Sequence, residues 1–376
     1  MTVNILHLHS SFSLGGKEAR AVRLMNAFGD RARHTIVSGV PGELGARDAI
    51  DRGIRYEIAQ NPPPLVGRPS VSRYEAIAKF MAPFDLVLTY NWGAIDGVMA
   101  KRAFAKGMPP VIHHEDGFNE DEASGINPVR TMYRRVALGA ARALVVPSYT
   151  LERIAQKAWK QRPDKIHRIS NGIALDRYAA DPVPDAIPGF RRHPEAMVIG
   201  TIAGLRPVKD LPLLVRAAAG MVNRVQLVIV GEGPEAARIR ETAELMGLGD
   251  DLVMPGFLPD PHRYIGHFDL FALSSKSEQQ PISVMEAMAA GLPVVSTPVG
   301  DITAMVSEAN RPYISPNRNE VCLRDCLQIF HGRAGGRRTV GEANREKARA
   351  EFGEASMIAA YAKLYGEAIC RPGAFL

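Results

Sequence analysis

Cysteine is scarce in this sequence: Cys322, Cys326 and Cys370 are the only three in 376 residues, all toward one end. So few thiols exclude a disulfide framework and suit a reducing compartment. Cys322 and Cys326 stand four apart, but no second Cys or His pair completes a tetrahedral set, so they read as buried helix residues and no metal site is expected. Long hydrophobic runs are missing too. No stretch reaches the roughly 18 to 20 apolar residues that cross a bilayer, and the opening MTVNILHLHS has neither a basic leader nor a cleavage site, which points to a soluble or peripheral protein. Extremes of composition are also absent: 46% hydrophobic and 23% charged residues fit neither a disordered nor a fibrous chain. A length of 376 residues exceeds what one core usually supports, so two domains are expected. The formal net charge of +6 favours anionic partners such as nucleoside diphosphates, acidic lipid headgroups or nucleic acid, and charge alone does not choose among them.

What is present is an alternation. Val3 to Leu8 is a short, nearly continuous apolar run of the kind that forms a buried parallel strand. A Gly-containing loop, Ser13 to Lys17, follows, and then Ala21, Leu24, Met25 and Phe28 recur at helical spacing over Glu18 to Phe28. Strands are expected again at Thr35–Val37, Asp85–Thr89, Val111–Ile112 and Ala143–Val146, with helical patterns such as Val71–Met81 between them. Such alternation predicts a parallel sheet covered on both faces. The Pro-rich stretch Asn61–Pro69 is a loop, and four prolines between Asp176 and Pro194 break the pattern a second time, as an interdomain linker would. The alternation then restarts, with strands at Met197–Ile202, Gln226–Val230, Leu270–Leu273 and Val294–Ser296. In such sheets ligands gather at the carboxyl ends of strands.

The polar residues after the strands carry the chemistry. Beyond Leu273 comes SSKSEQQPISVMEAMAAGLPVVSTPVG, with Glu278 in the loop and Glu286 eight positions later on the next helix. The segment Gln279, Gln280, Pro281, Ile282 and Ser283 brings the chain into that helix, where unpaired amides and the helix dipole favour an anion. Gly15-Gly16 precede a helix and allow close backbone approach, but lack the G-x-G-x-x-G spacing of a dinucleotide site. His113-His114-Glu115-Asp116 form a polar cluster at a strand end, and adjacent strand residues point in opposite directions, which argues against a shared metal.

The run Glu286 to Val295, EAMAAGLPVV, together with Glu278, resembles the signature of the retaining family 4 glycosyltransferases of the GT-B fold. By that resemblance Glu278 contacts the donor sugar and Glu286 accepts hydrogen bonds from the ribose hydroxyls. IGTIAGLRPVKDLPLLVRA, Ile199 to Ala217, is similar to the family's phosphate-binding loop, and Lys209 matches the lysine that neutralises the leaving diphosphate. The family usually places an arginine where this chain has Gly204, and Arg206 is the residue nearest to take its part. The resemblance extends to Gly15-Gly16 as a loop touching donor and acceptor, and to His114 as the histidine beside the donor sugar. Gly231, in Gly231-Glu232-Gly233-Pro234, is then expected to approach the base or the phosphates, and Asn171 to serve a turn.

The resemblance implies an α/β chain of two facing, Rossmann-like, doubly wound domains with a cleft between them. Residues 1–178 would form the acceptor side, 179–195 a linker and 196–353 the nucleotide-sugar domain, with a helix from about 354 to 376 packing back on the first. It also implies a metal-independent reaction with no cofactor, the donor being a nucleotide-diphosphate sugar of the UDP or GDP type. The acceptor would be a saccharide or a lipid-linked sugar, handled in the cytoplasm or at the inner face of the cytoplasmic membrane. Loops Asn61–Arg73 and Glu115–Arg130 are expected to shape the acceptor site. A helix over Val129–Arg142, with Arg130, Arg134, Arg135 and Arg142 around Met132, Val136 and Leu138, suits peripheral contact with an anionic membrane. Nucleic acid is not expected, because Glu115, Asp116, Glu120, Asp121 and Glu122 would repel a phosphate backbone. The competing enzyme class on the same architecture is a nucleotide-sugar 2-epimerase.

Overall fold

The computed structural model describes residues 2–118, 122 and 125–376. It divides into two compact units, one built from Met1–Gly117, Ile126–Asn171 and Ala355–Leu376, the other centred on Gly172–Glu354. Each holds a fully parallel sheet between helices.

The first sheet has strands β1 (Val3–His9), β2 (Ala32–Ser38), β3 (Tyr56–Ile58), β4 (Leu86–Tyr90), β5 (Val111–His114), β6 (Ala143–Val146) and β7 (Ile166–Arg168), in the order β3-β2-β1-β4-β5-β6-β7. The winding reverses between β1 and β4, which makes the carboxyl ends of those two strands the crevice of this unit. The helix Gly16–Phe28 buries Ala21, Leu24 and Phe28, on the face its apolar spacing dictates. The closing helix, Glu354–Ala368, inserts Met357, Tyr361 and Tyr365 into the same core. Thus a segment from the chain's end completes the core that the first strand begins.

The second sheet has β8 (Met197–Ile202), β9 (Val225–Val230), β10 (Leu252–Gly256), β11 (Leu270–Leu273) and β12 (Val294–Ser296), ordered β10-β9-β8-β11-β12. Its reversal lies between β8 and β11. Both faces are apolar: Val228, Phe271 and Val294 enter one cluster, and Leu227, Ala272 and Val295 the other. Residues 179–195 hold neither helix nor strand, yet Ile187 is buried in this unit's core.

Several expectations change. The helix expected over Val129–Arg142 spans Pro128–Leu138 and stops at Gly139; Arg142 instead leads into β6, its amide bonding the Val111 carbonyl at 2.8 Å. Of its arginines, Arg134 points inward and is buried, so the solvent-facing residues are Val129, Met132, Arg135 and Val136. Cys326 is buried on a helix as expected, but Cys322 is only half-buried and Cys370 is exposed beyond the last helix. The strands β3, β7 and β10 carry no periodicity that marks them, being short edge strands and, in β10, containing Pro255 and Gly256.

Candidate functional site

In the second unit, the loops after β8 and β11 flank the winding reversal, and they bring together residues that lie far apart in sequence. Lys209 ends the short turn Pro207–Lys209, and its Nζ lies 2.5 Å from Glu278 Oε1. The same carboxylate oxygen accepts from Ser275 Oγ at 2.7 Å. Three further bonds fix the two loops: Ser274 Oγ donates to the Lys209 carbonyl at 3.0 Å, the Lys276 amide to the Val208 carbonyl at 2.8 Å, and Thr297 Oγ1 to the Ser275 carbonyl at 2.7 Å. Lys209 and Glu278 are therefore held by a braced pair of loops while still partly open to solvent, at 24% and 10% side-chain exposure.

Arg206 is exposed and its guanidinium makes no hydrogen bond or ion pair among the described residues. It folds back over Gly204: a Cβ built on Gly204 would lie 3.4 Å from Arg206 Nε. The guanidinium thus occupies the side of the loop on which a residue 204 side chain would stand. Gly231, at φ +139°, sits so close to the neighbouring loop that a Cβ would come within 2.0 Å of the Ala203 carbonyl oxygen. Its glycine has a local reason, since the Ala203 amide bonds the Val230 carbonyl at 3.0 Å and draws the two loops side by side.

The chain after Glu278 enters the helix Ile282–Ala289, with Pro281 at the N-cap position and no side chain capping the first amides. Gln279 is buried, Gln280 and Ser283 half-buried. Glu286 projects from this helix, and its Oε1 accepts from Tyr178 Oη at 3.0 Å. Gly300 supports the loop from behind: at φ +57°, a Cβ there would lie 2.3 Å from the Glu278 carbonyl oxygen. Ser275, Thr297, Gly300 and Tyr178 had no signature in the sequence, although the SS pair before Lys276 and the TPVG run after β12 both fall in loops at strand ends, where such residues were to be sought.

The carboxyl edge of the first sheet is closed by contrast. Parallel register places His9, Tyr90 and His114 side by side. Their rings stack at 4.0 Å and 4.7 Å, near the spacing of adjacent strands. His114 is buried, and both of its nitrogens are engaged: Nδ1 lies 3.2 Å from the Thr89 carbonyl and Nε2 2.8 Å from Tyr365 Oη. A carbonyl only accepts, so Nδ1 carries the proton and Nε2 accepts from the tyrosine. Burial, followed by Arg20, pushes the His114 pKa down to about 3. His113 faces the other side, with Nδ1 2.8 Å from Thr89 Oγ1. His9, unmarked as a site residue in the sequence, is fully buried and neither ring nitrogen has a hydrogen-bond partner among the described residues. Its alternation with His7 in LHLH was the available signal.

Gly15 is the N-cap of the helix Gly16–Phe28, with Lys17 and the buried Glu18 paired just inside it. Burial raises the Glu18 pKa and Lys17 opposes it. Arg20, buried on the same helix, makes two bonds to Asp116, at 2.5 Å and 2.8 Å, and one to Asn171 Oδ1 at 3.0 Å. Burial works against both charges, yet the pair holds: Arg20 is raised and Asp116 lowered from their ordinary values. Asn171 is accordingly a partner of Arg20 as well as a loop residue. Glu115 is buried against Arg134 Nε at 3.0 Å. Two of the acidic residues expected to repel nucleic acid are therefore neutralised inside the first unit, Glu122 is buried, and Glu120 and Asp121 lie outside the described residues. That exclusion therefore cannot rest on Glu115 or Asp116.

Two family models match the chain: Glycosyltransferase Family 4 over residues 14–177 and Glycosyl transferases group 1 over residues 187–346. Among similar curated proteins is a putative glycosyltransferase EpsF of Bacillus subtilis, 28% identical over 212 residues, which are 53% of this chain and 54% of that protein. The match thus spans about half the length of that relative. The 2-deoxystreptamine N-acetyl-D-glucosaminyltransferase of Streptomyces fradiae is 25% identical over 355 residues, 83% of this chain and 81% of its own. Among solved structures, HepE of Anabaena in complex with UDP and glucose superposes with a TM-score of 0.78 at 19% identity, covering 97% of this chain and all of that one.

Proposed function

The chain belongs to the glycosyltransferases of group 1 and family 4, with the GT-B fold, and from that premise we propose that it transfers a sugar from a nucleoside diphosphate to an acceptor in polysaccharide or glycolipid synthesis. The observation that carries this reading is the meeting of Lys209 and Glu278, 2.5 Å apart, at the winding reversal of the second sheet. The donor is a UDP- or GDP-linked sugar; UDP, as in the HepE complex, is the first to test.

In the proposed mechanism Lys209 and Arg206 receive the diphosphate. Glu278 holds the Lys209 ammonium in place beforehand, and a diphosphate gives that ammonium a second anionic partner. Arg206, exposed and without a carboxylate partner among the described residues, brings a second positive charge to the same loop. Two preplaced cations stabilise charge that grows on the leaving group without reorganising, which is the contribution a metal makes elsewhere, so the reaction is proposed to be metal-independent and without a cofactor. Glu286, oriented by Tyr178, takes the ribose hydroxyls. The reaction is proposed to retain configuration, the acceptor hydroxyl attacking on the face from which the diphosphate leaves and passing its proton to the diphosphate oxygen. The protein then positions and neutralises rather than forming a covalent bond.

The acceptor is proposed to be a saccharide on a lipid or other carrier. No helix among the described residues is long and apolar enough to cross a membrane. The helix Pro128–Leu138 exposes Val129, Met132 and Val136 beside Arg135, which supports a peripheral contact with an anionic bilayer at the cytoplasmic face. A thermal-shift screen with UDP-, GDP- and ADP-linked sugars tests the donor, because a bound donor raises the melting temperature by mass action. A rise with one of them is expected; no rise with any would sink the reading. Turnover of the donor to an epimer without an acceptor would point to a 2-epimerase instead.

A further inference from the structure

At the opposite edge of the first sheet, where its strands begin, lies a cavity of about 400 Å³ with Val111 and Ala141 among its apolar walls and Lys101, Arg142 and Lys165 around it. The fold fixes the two lysines. Lys101 lies in the last turn of the helix Ile95–Ala103 and donates to the Met108 carbonyl at 2.8 Å and the Ala105 carbonyl at 3.5 Å. Lys165 precedes β7 and donates to the carbonyls of Gly139 at 2.7 Å and Ala141 at 3.2 Å, where the helix Pro128–Leu138 ends. An ammonium has three donors, so each lysine keeps one to offer. Arg142 is exposed, and its side chain makes no hydrogen bond or ion pair among the described residues.

Among the described residues no carboxylate lines this cavity. Asp164, next to Lys165, is taken by two bonds from Arg162, at 2.9 Å and 2.6 Å. Glu367 acts on the nearby His167 but forms no part of the walls. A second cavity on the same sheet edge, about 470 Å³, makes the contrast plain. It too is lined by cations, but Arg33 pairs with Glu57 at 3.2 Å and Arg55 faces Asp30 at 3.9 Å. Burial lowers the pKa of Lys101 and, with Arg162 and Arg142 adding to it and Asp164 opposing, of Lys165.

We propose that the cavity formed by Lys101, Arg142 and Lys165 is a binding site for a phosphate group, carried either on a small soluble ester or on a lipid headgroup. Three cationic side chains lining one cavity can donate to a phosphate's several acceptor oxygens, and the apolar walls suit the carbon framework attached to it. The site lies in the first unit, whereas Lys209 and Glu278 belong to the second, and the proposal does not rest on the glycosyltransferase reading.

The test uses the full chain carrying Lys209→Ala, so that phosphate binding at the donor loops does not interfere. Calorimetric titration with inorganic phosphate and with glycerol phosphate, and co-sedimentation with phosphatidylglycerol vesicles against phosphatidylcholine ones, are compared before and after adding Arg142→Glu. The added change is expected to weaken binding about tenfold or more. Arg142→Lys should keep it, and Lys79→Glu, an equal charge change elsewhere on the unit, should leave it intact. Loss confined to the soluble probes assigns the site to a phosphate ester; loss confined to the anionic vesicles assigns it to a headgroup. Equal behaviour of Arg142→Glu and its parent, equal loss with Lys79→Glu, or no binding of any probe would overturn the proposal. Because the Arg142 side chain bonds to no other described residue, an unchanged melting temperature is expected and serves as the folding control.

Discussion

The two sheets present the same architectural feature, a winding reversal, with opposite chemistry at its carboxyl edge. In the first unit the polar groups bond one another: Arg20 with Asp116, His114 with Tyr365, Glu115 with Arg134, all buried except Asp116, which is half-buried. In the second the charges stand on braced loops and remain partly open, with Arg206 unpaired among the described residues and Lys209 paired with Glu278. Removing one partner from a network like that of the first unit leaves the other largely out of water and unpaired, which is costly. Half-open charges on stiff loops contribute little to stability and are available to a ligand. The difference implies that substitutions at the first edge should register in stability and those at the second in turnover.

The sharpest way to break that contrast is Arg20→Ala. It would leave Asp116, whose side chain is only 13% exposed, without its cation, at a cost of about 3 to 5 kcal/mol, read as a lower denaturation midpoint. A variant as stable as the parent would show that this ion pair does not hold the first unit together. Next in size, Lys209→Ala should lower kcat about 100- to 1000-fold once a donor is known, with the melting temperature nearly unchanged. An unchanged rate would remove Lys209 from the mechanism.

Acid should likewise separate the two edges. His114 has an ordinary pKa of 6.5 and a folded value of about 3, so the unfolded chain takes up its proton first. Stability is then complete above about pH 6.5 and is lost as pH falls toward 3; by pH 4 this histidine alone accounts for about 3 kcal/mol. His34, lowered by burial to about 4, acts in the same direction. Urea midpoints measured between pH 7.5 and 4 should fall, and His114→Gln should flatten the slope even if it lowers every midpoint. A slope unchanged by that substitution would contradict the neutral, buried assignment. The smallest effect is expected for Glu286→Ala, which should raise the donor KM about tenfold and leave the denaturation midpoint near that of the parent. A change in kcat without a change in KM would move Glu286 from donor binding to the chemical step.

Much of the second site is legible in the sequence. Glu278, Glu286 and Lys209 sit in loops and on a helix whose boundaries the apolar strands Met197–Ile202 and Leu270–Leu273 already mark. The first site is less legible for a physical reason. His114, expected just after a strand, is the last residue of β5, and its bonds go to Thr89 and to Tyr365, which is 251 positions away; no local pattern encodes such a partner. The acidic run after His114 reads as a repulsive surface because sequence gives charge without burial, whereas Glu115 and Asp116 are each matched by an arginine inside the unit.

Local chemistry by itself determined the parallel α/β alternation, the division into two sheets and the residue types in the strand-end loops, because apolar periodicity and glycine and proline breaks act over a few residues. Tertiary structure alone decided which of those residues share a carboxylate, a ring stack or a cavity. Lys209 and Glu278 meet only because β8 and β11 are neighbours in the sheet, and Lys101, Arg142 and Lys165 line one cavity only because a helix end and the starts of two strands lie together. Strand order and packing set those distances, and neither is written in any short stretch of the chain.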